Sequence, residues 1–240
     1  MSVIINTPNN QGLFTHLSFN EESGDIVRDY SGNNNHGMLI NSPTRVDGQF
    51  GKVINFNGLN NYIKINKPIY ALSSVYSLSF WLKINDLTAT NQTIYLEGSS
   101  ILGNPIFSLT FNRASEDYKI GVFIKNDAGA ILKIIKTNQT INDNNWHHIN
   151  WMDNNGTVQF YIDKILDSTS FSYVRSGVFS LDTSSIASRV SFDYPNGSFY
   201  LNGQIDEFRI YNRIISQDEV NILYDSGLTI LNSLNSTVLT

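Results

Sequence analysis

Short runs rich in aromatic and β-branched residues recur along this chain at close intervals, and a helix start is written once, near the end. Many closely spaced strands with almost no helix can fold only as a β-sandwich or barrel. The clearest unit is Trp146-His147-His148-Ile149-Asn150-Trp151-Met152 and Thr157-Val158-Gln159-Phe160-Tyr161-Ile162, joined through Asn155-Gly156. Asn-Gly supplies the two left-handed residues of a type I′ turn, so this stretch is read as a hairpin. Ser77–Ile84 alternates, with Leu78, Phe80, Leu82 and Ile84 on one face and Trp81 on the other. That is the signature of a strand inside a sheet.

Other strands are expected at His16–Phe19, Met38–Ile40, Lys52–Gly58, Tyr62–Ile65, Thr93–Glu97, Ile106–Phe111, Lys119–Lys125 and Ala130–Lys136. Residues 164–198 segment less sharply, with short strands expected near Val178–Ser180 and Val190–Phe192. Phe199–Tyr211 closes the β part. Strict alternation there sets Asp206, Phe208 and Ile210 on one face and Ile205, Glu207, Arg209 and Tyr211 on the other. Ser216-Gln217-Asp218-Glu219 is a capping box. Val220, Leu223 and Tyr224 share a helical face, and Gly227 suits a C-terminal cap, so one short helix is expected over 216–226. The domain is bounded at 13–227, between a polar N-terminal arm (1–12) and a tail (228–240).

Composition removes several functions. The chain has 240 residues, 41% of them hydrophobic, enough for one sizeable core. A net charge of −5 with scattered Lys and Arg argues against nucleic acid as a partner. Cysteine is absent, which removes disulfides, thiol catalysis and Cys-based zinc sites. No window has the ~20 apolar residues of a membrane-spanning helix, and the first residues lack the basic and apolar regions of a secretory signal. Adjacent strand residues point to opposite faces, so His147 and His148 cannot converge on one ligand. His16 and His36 have no partner identifiable in the sequence.

Five blocks, in order, carry a resemblance: Phe19–Gly24; Asp29-Tyr30-Ser31-Gly32-Asn33-Asn34-Asn35-His36-Gly37; Gly51–Gly58 with Tyr62-Ile63; Trp146-His147-His148 with Phe160–Asp163; and Gly203–Arg213 running into Ser216–Tyr224. Together they resemble the laminin G-like group of the concanavalin A-like lectin/glucanase superfamily, in its bacterial and viral form. The resemblance implies an all-β, two-sheet antiparallel jelly-roll sandwich. It also implies one structural calcium ion where the first loop meets the penultimate strand. The candidate ligands carried over by position are Asp29, Asn35 and Asp206, with Asn20 and loop carbonyls as helpers. Calcium favours such oxygen donors. The family usually has Asp where this chain has Asn20, which removes one charge.

Glycoside hydrolases of this superfamily set carboxylates as Glu-x-Asp-x-x-Glu or a near variant, and glycoside hydrolysis needs an acid with a nucleophile or base. No such motif occurs here, nor a Gly-x-Ser-x-Gly elbow or phosphate loop, so no enzyme is expected. The leading reading is a non-catalytic lectin-like module for a glycan or protein surface ligand. The alternative is a virion or phage attachment protein built as a homo-oligomer or larger particle, and a glycoside hydrolase ranks third. Either leading role places the chain outside the cell or on a virion surface. Tyr30, Tyr173, Tyr194 and Trp151 are the candidate exposed aromatics for a sugar, and no sugar site is assigned.

Overall fold

The computed structural model describes residues 8–48, 50–65, 67–70 and 72–236, with side chains as far as Ser226. Among these are β1 (Leu13–Leu17), β2 (Ile26–Val27), β3 (Gly37–Ile40), β4 (Thr44–Asp47), β5 (Lys52–Asn57) and β6 (Tyr62–Ile65). They are followed by β7 (Val75–Ile84), β8 (Gln92–Gly98), β9 (Ile106–Phe111), β10 (Ile120–Lys125), β11 (Ile131–Lys136) and β12 (Trp146–Asn154). β13 (Thr157–Ile162), β14 (Ile165–Leu166), β15 (Phe171–Ser172), β16 (Thr183–Ile186), β17 (Asn202–Tyr211) and α1 (Gln217–Ser236) complete the chain.

Two antiparallel sheets form the sandwich. Sheet A runs β14-β13-β12-β7-β17-β5-β4, with β1 also on β17 and β15 also on β13. Sheet B runs β11-β10-β9-β8-β16-β6-β3-β2. β17 is the hinge of the topology: it pairs along one side with β7 and along the other with β5 and then β1. The first and last strands are therefore neighbours. Between the sheets lies one continuous core that includes Leu78, Phe80, Phe107, Trp151 and Phe208, all essentially without solvent contact.

The strands expected at 62–65 and 106–111 stand where the sequence set them, and the 155–156 turn has the two positive φ values (50° and 89°) of its type. The 164–198 stretch does not follow expectation. Neither Val178–Ser180 nor Val190–Phe192 is a strand, and Ser191 makes only an isolated bridge to Tyr194. The central strand there is β16, Thr-Ser-Ser-Ile, buried throughout. The two serines are bonded in mid-sheet, Ser184 Oγ donating to Ile65 O at 3.0 Å and Ser185 Oγ to Ser188 O at 2.6 Å, whereas Thr183 Oγ1 is buried without a partner.

α1 covers the outer face of sheet A. Its capping box forms as expected, with Glu219 N donating to Ser216 Oγ (3.2 Å) and Ser216 N to Glu219 Oε2 (2.8 Å). Arg213 adds a two-pronged contact to Glu219 at 2.8 and 2.6 Å. Val220 and Leu223 bury against Leu13, Met152, Tyr161 and Tyr211. The helix does not stop at Gly227 as expected but continues to Ser236. An internal glycine costs only about 1 kcal/mol, and Leu228, Leu231 and Leu234 keep the helical spacing in the sequence. Of the arm and tail, residues 1–7 and 237–240 lie outside the described residues.

Candidate functional site

Of the residues named for calcium, Asp29 and Asn35 share one place. Asp29 is buried beside β1, and both its oxygens are taken: Oδ1 by the amides of His16 (2.8 Å) and Ser31 (2.9 Å), Oδ2 by Ser31 Oγ (2.7 Å) and the amide of Asn35 (2.8 Å). Burial alone would raise its pKa, but these donors outweigh burial and hold the carboxyl below its usual value. Asn35 Nδ2 reaches Phe14 O (2.7 Å) and Thr15 Oγ1 (3.1 Å), and its Oδ1 is buried without a partner. His36, although exposed, is partnered as well, its Nδ1 accepting the Asp29 amide at 2.9 Å.

Asn20 is exposed, with its Oδ1 accepting Lys52 N at 2.9 Å. Asp206 stands on β17. The alternation expected in β17 breaks there, because the register on β7 shifts between Asp206 and Arg209 and Glu207 takes a φ of 51°. The extra residue is a β-bulge. It keeps Ile205, Phe208 and Ile210 all in the core and leaves Asp206 on the other face, opposite Trp81 and under α1. Asp206 is fully buried: Oδ1 accepts the Glu207 amide at 2.8 Å, and Oδ2 has no partner. Burial and then the Glu207 charge push its pKa up to about 8. Glu207 itself binds His16 Nε2 at 2.9 Å and Arg209, so His16 is also partnered.

These positions do not fit a calcium ion as folded. The free oxygens are Asn35 Oδ1 and Asp206 Oδ2. Asn35 meets Thr15 on the buried face that β1 shares with Leu17, whereas Asp206 lies on the opposite face of the same sheet. Among the described residues no group of three or more His, Cys, Asp or Glu is placed to hold a metal. Each Asp29 oxygen already accepts two protein donors. Thermal melts in calcium and in chelator are therefore expected to coincide, and a clear rise in Tm with calcium would restore the ion.

A different region has the makings of a site. On sheet B the inward positions Phe107, Leu109 and Phe111 fill the core, so Ile106, Ser108 and Thr110 face outward. Register sets Phe123 and Leu96 beside Ser108, and Thr93 beside Thr110. These residues floor a cavity of about 110 Å³, walled by Asn91 and Arg113 on one side and Arg189 and Phe199 on the other. The Arg189 wall is an arm closed by the amides of Arg189 and Ser198, each bonding the other's carbonyl at 2.8 and 3.0 Å. Two of the lining residues, Asn91 and Phe199, take left-handed backbone, with φ of 59° and 51°. A bulky Phe199 in that conformation stores strain, a feature that gathers at binding sites.

Both arginines lie over aromatic rings. The Arg113 guanidinium is 4.7 Å from the Phe123 centroid, and a Cβ at Gly121 would meet the Arg113 side chain at 2.7 Å, so this glycine makes the seat. Arg189 is 4.7 Å from the Tyr194 ring, which packs on Phe199 at 5.6 Å. Burial lowers both arginine pKa values, and the charge of Arg189 adds to the effect on Arg113. Arg189 Nε is buried without a partner.

Residues 56–221 match the Laminin_G_3 family of the concanavalin A-like lectin/glucanases superfamily. The chain belongs to this family. It is 27% identical over 218 residues to Paraclostridial mosquitocidal protein 1 of Paraclostridium bifermentans, covering 84% of this chain and 17% of that protein. The crystal structure of that protein's binding domain aligns with a TM-score of 0.67 at 20% identity, over 90% of this chain and 52% of that one. Domain 4 of AbnA, an extracellular GH43 arabinanase from Geobacillus stearothermophilus, in complex with arabinotriose, aligns at 0.64 and 20% identity, over 88% and 98%. The binding domain of botulinum neurotoxin DC in complex with SialylT aligns at 0.68 and 18%, over 91% and 52%. At these identities the structures share a fold.

In this laminin G-like domain the four candidate aromatics separate. Trp151 is wholly buried, and Tyr173 turns inward, donating to Asp153 Oδ2 at 2.6 Å. Tyr30 is 54% exposed beside the Asp29 loop, away from the cavity. Tyr194 stands behind the cavity wall, packed on Arg189 and Phe199, which line it. His147 and His148 part as expected: His147 bridges Asp143 and Asp163 (2.9 and 2.7 Å), and His148 is buried against Ser79 and Trp81. The cavity itself was missed in the sequence. Its one usable signal was Ser108 and Thr110 alternating with core residues.

Proposed function

We propose that this domain is a non-catalytic module that binds a glycan in the sheet B cavity and acts outside the cell. The observation that carries this is the make-up of the cavity: a hydroxyl-bearing floor, aromatic faces and guanidinium donors converging on one concave surface. Sugars pair apolar ring faces with hydroxyl rims, and sites for such ligands combine apolar surface with a few placed polar groups. No Asp or Glu lines the cavity among the described residues, so it lacks the carboxylate pair of a glycosidase. The relatives add support: two are binding domains of larger proteins, and the arabinanase domain was solved with an oligosaccharide.

The test is a glycan array on the purified chain, followed by titration of the best binder. Phe199→Ala, which removes an aromatic wall, is expected to weaken binding about tenfold or more, and Ser108→Phe, which fills the floor, to abolish it. Both variants should melt close to the parent. A chain that binds no glycan, or binds one unaffected by either variant, overturns the proposal.

A further inference from the structure

Arg113 and Arg189 come from opposite walls of the cavity and present two cations to one small volume, in a chain whose net charge is −5. Among the described residues, no carboxylate lies within ion-pair distance of Arg113, and Arg189 has only Asp193, at 3.9 Å and about half exposed. Two like charges in a partly dry groove repel each other. The aromatic seats hold them there all the same. The Arg189 guanidinium, whose buried Nε has no partner within the fold, is a planar donor group of the kind that matches a carboxylate or sulfate. Resting on the glycan reading above, we infer that the ligand is an acidic sugar, whose carboxylate or sulfate is clasped between Arg113 and Arg189 while its neutral face lies on Phe199 and the hydroxyl floor.

The experiment is calorimetric titration with matched pairs: sialylated or uronate-bearing oligosaccharides against their neutral parents, and sulfated oligosaccharides against their desulfated forms. The acidic member of at least one pair is expected to bind about tenfold or more tighter, and the pair that shows it identifies the anion. Raising salt should narrow the gap. Arg113→Gln and Arg189→Gln should each remove most of the preference, and Arg189→Lys should restore part of it by keeping charge without the planar donor group. Phe199→Ala should weaken acidic and neutral members alike. Equal binding of acidic and neutral members, still sensitive to Phe199→Ala, overturns the acidic ligand and leaves the glycan site standing. A preference for acid that survives both Gln variants also overturns it, since the anion then sits elsewhere. Failure of every oligosaccharide removes both readings.

Discussion

Trp151→Ala is expected to destabilise the domain by about 3–5 kcal/mol, the usual cost of emptying a buried aromatic site. The side chain stands on β12 between the sheets, with Phe107, Phe160 and Phe171 at ring distances of 5.5, 6.1 and 5.9 Å. Its Nε1–H donates to Tyr76 Oη at 3.0 Å, so truncation also strands a buried hydroxyl. Typical domains are stable by about 5–15 kcal/mol, so the loss takes a large share of the total. Trp151→Phe keeps most of the volume and is expected to cost less than half as much. Urea unfolding of the three proteins measures this. A sugar platform would give the opposite pattern, with little change in midpoint and lost binding. A cost below about 1 kcal/mol would remove Trp151 from the core.

Why the fold was legible and the site was not follows from the same residues. Alternation in Ser77–Ile84 and the Asn155-Gly156 turn are local codes, and each is obeyed. β16 carried no such code, because Thr-Ser-Ser-Ile reads as a polar loop until Ile65 O and Ser188 O are known to accept its serine hydroxyls. The capping box shows where α1 begins but not where it ends, since a glycine alone does not stop a helix when leucines at helical spacing follow it. Asp206 was placed on the wrong face because one bulge, at Glu207, inverts everything upstream of it, and no residue type announces a bulge there. The cavity depended on the least local facts of all. Arg113 and Arg189 are far apart in sequence and meet only because β8, β9 and β10 are neighbours and the arm over 187–201 folds back across them.

The bulge also sets an expected pH profile. An Asp carboxyl titrates near pH 4 in an unfolded chain, whereas buried Asp206 keeps its proton up to about pH 8. Between those values the folded state holds a proton that the unfolded state has lost, so stability falls as pH rises through the interval and levels off above 8. The separation corresponds to at most several kcal/mol. Glu97, fully buried and pushed up to about 7 chiefly by burial, works in the same direction up to that pH. Asp29 and Glu207 are held low by their partners, so they lose stabilisation only as the pH drops below the ordinary carboxylate range. Stability should therefore peak on the acid side of neutral. Asp206→Asn resembles the protonated residue, and its new amide group can donate towards Glu207. The variant should match the parent near pH 5, exceed it by several kcal/mol at pH 8–9, and show a shallower slope that ends with Glu97. Thermal or urea unfolding from pH 4 to 9 would record it, and parallel profiles for the two proteins would show that Asp206 ionises normally. The same pair of proteins separates this account from a calcium site. An ion bound to an ionised Asp206 would stabilise the parent at high pH only when calcium is present, and would make Asn the weaker residue there rather than the stronger.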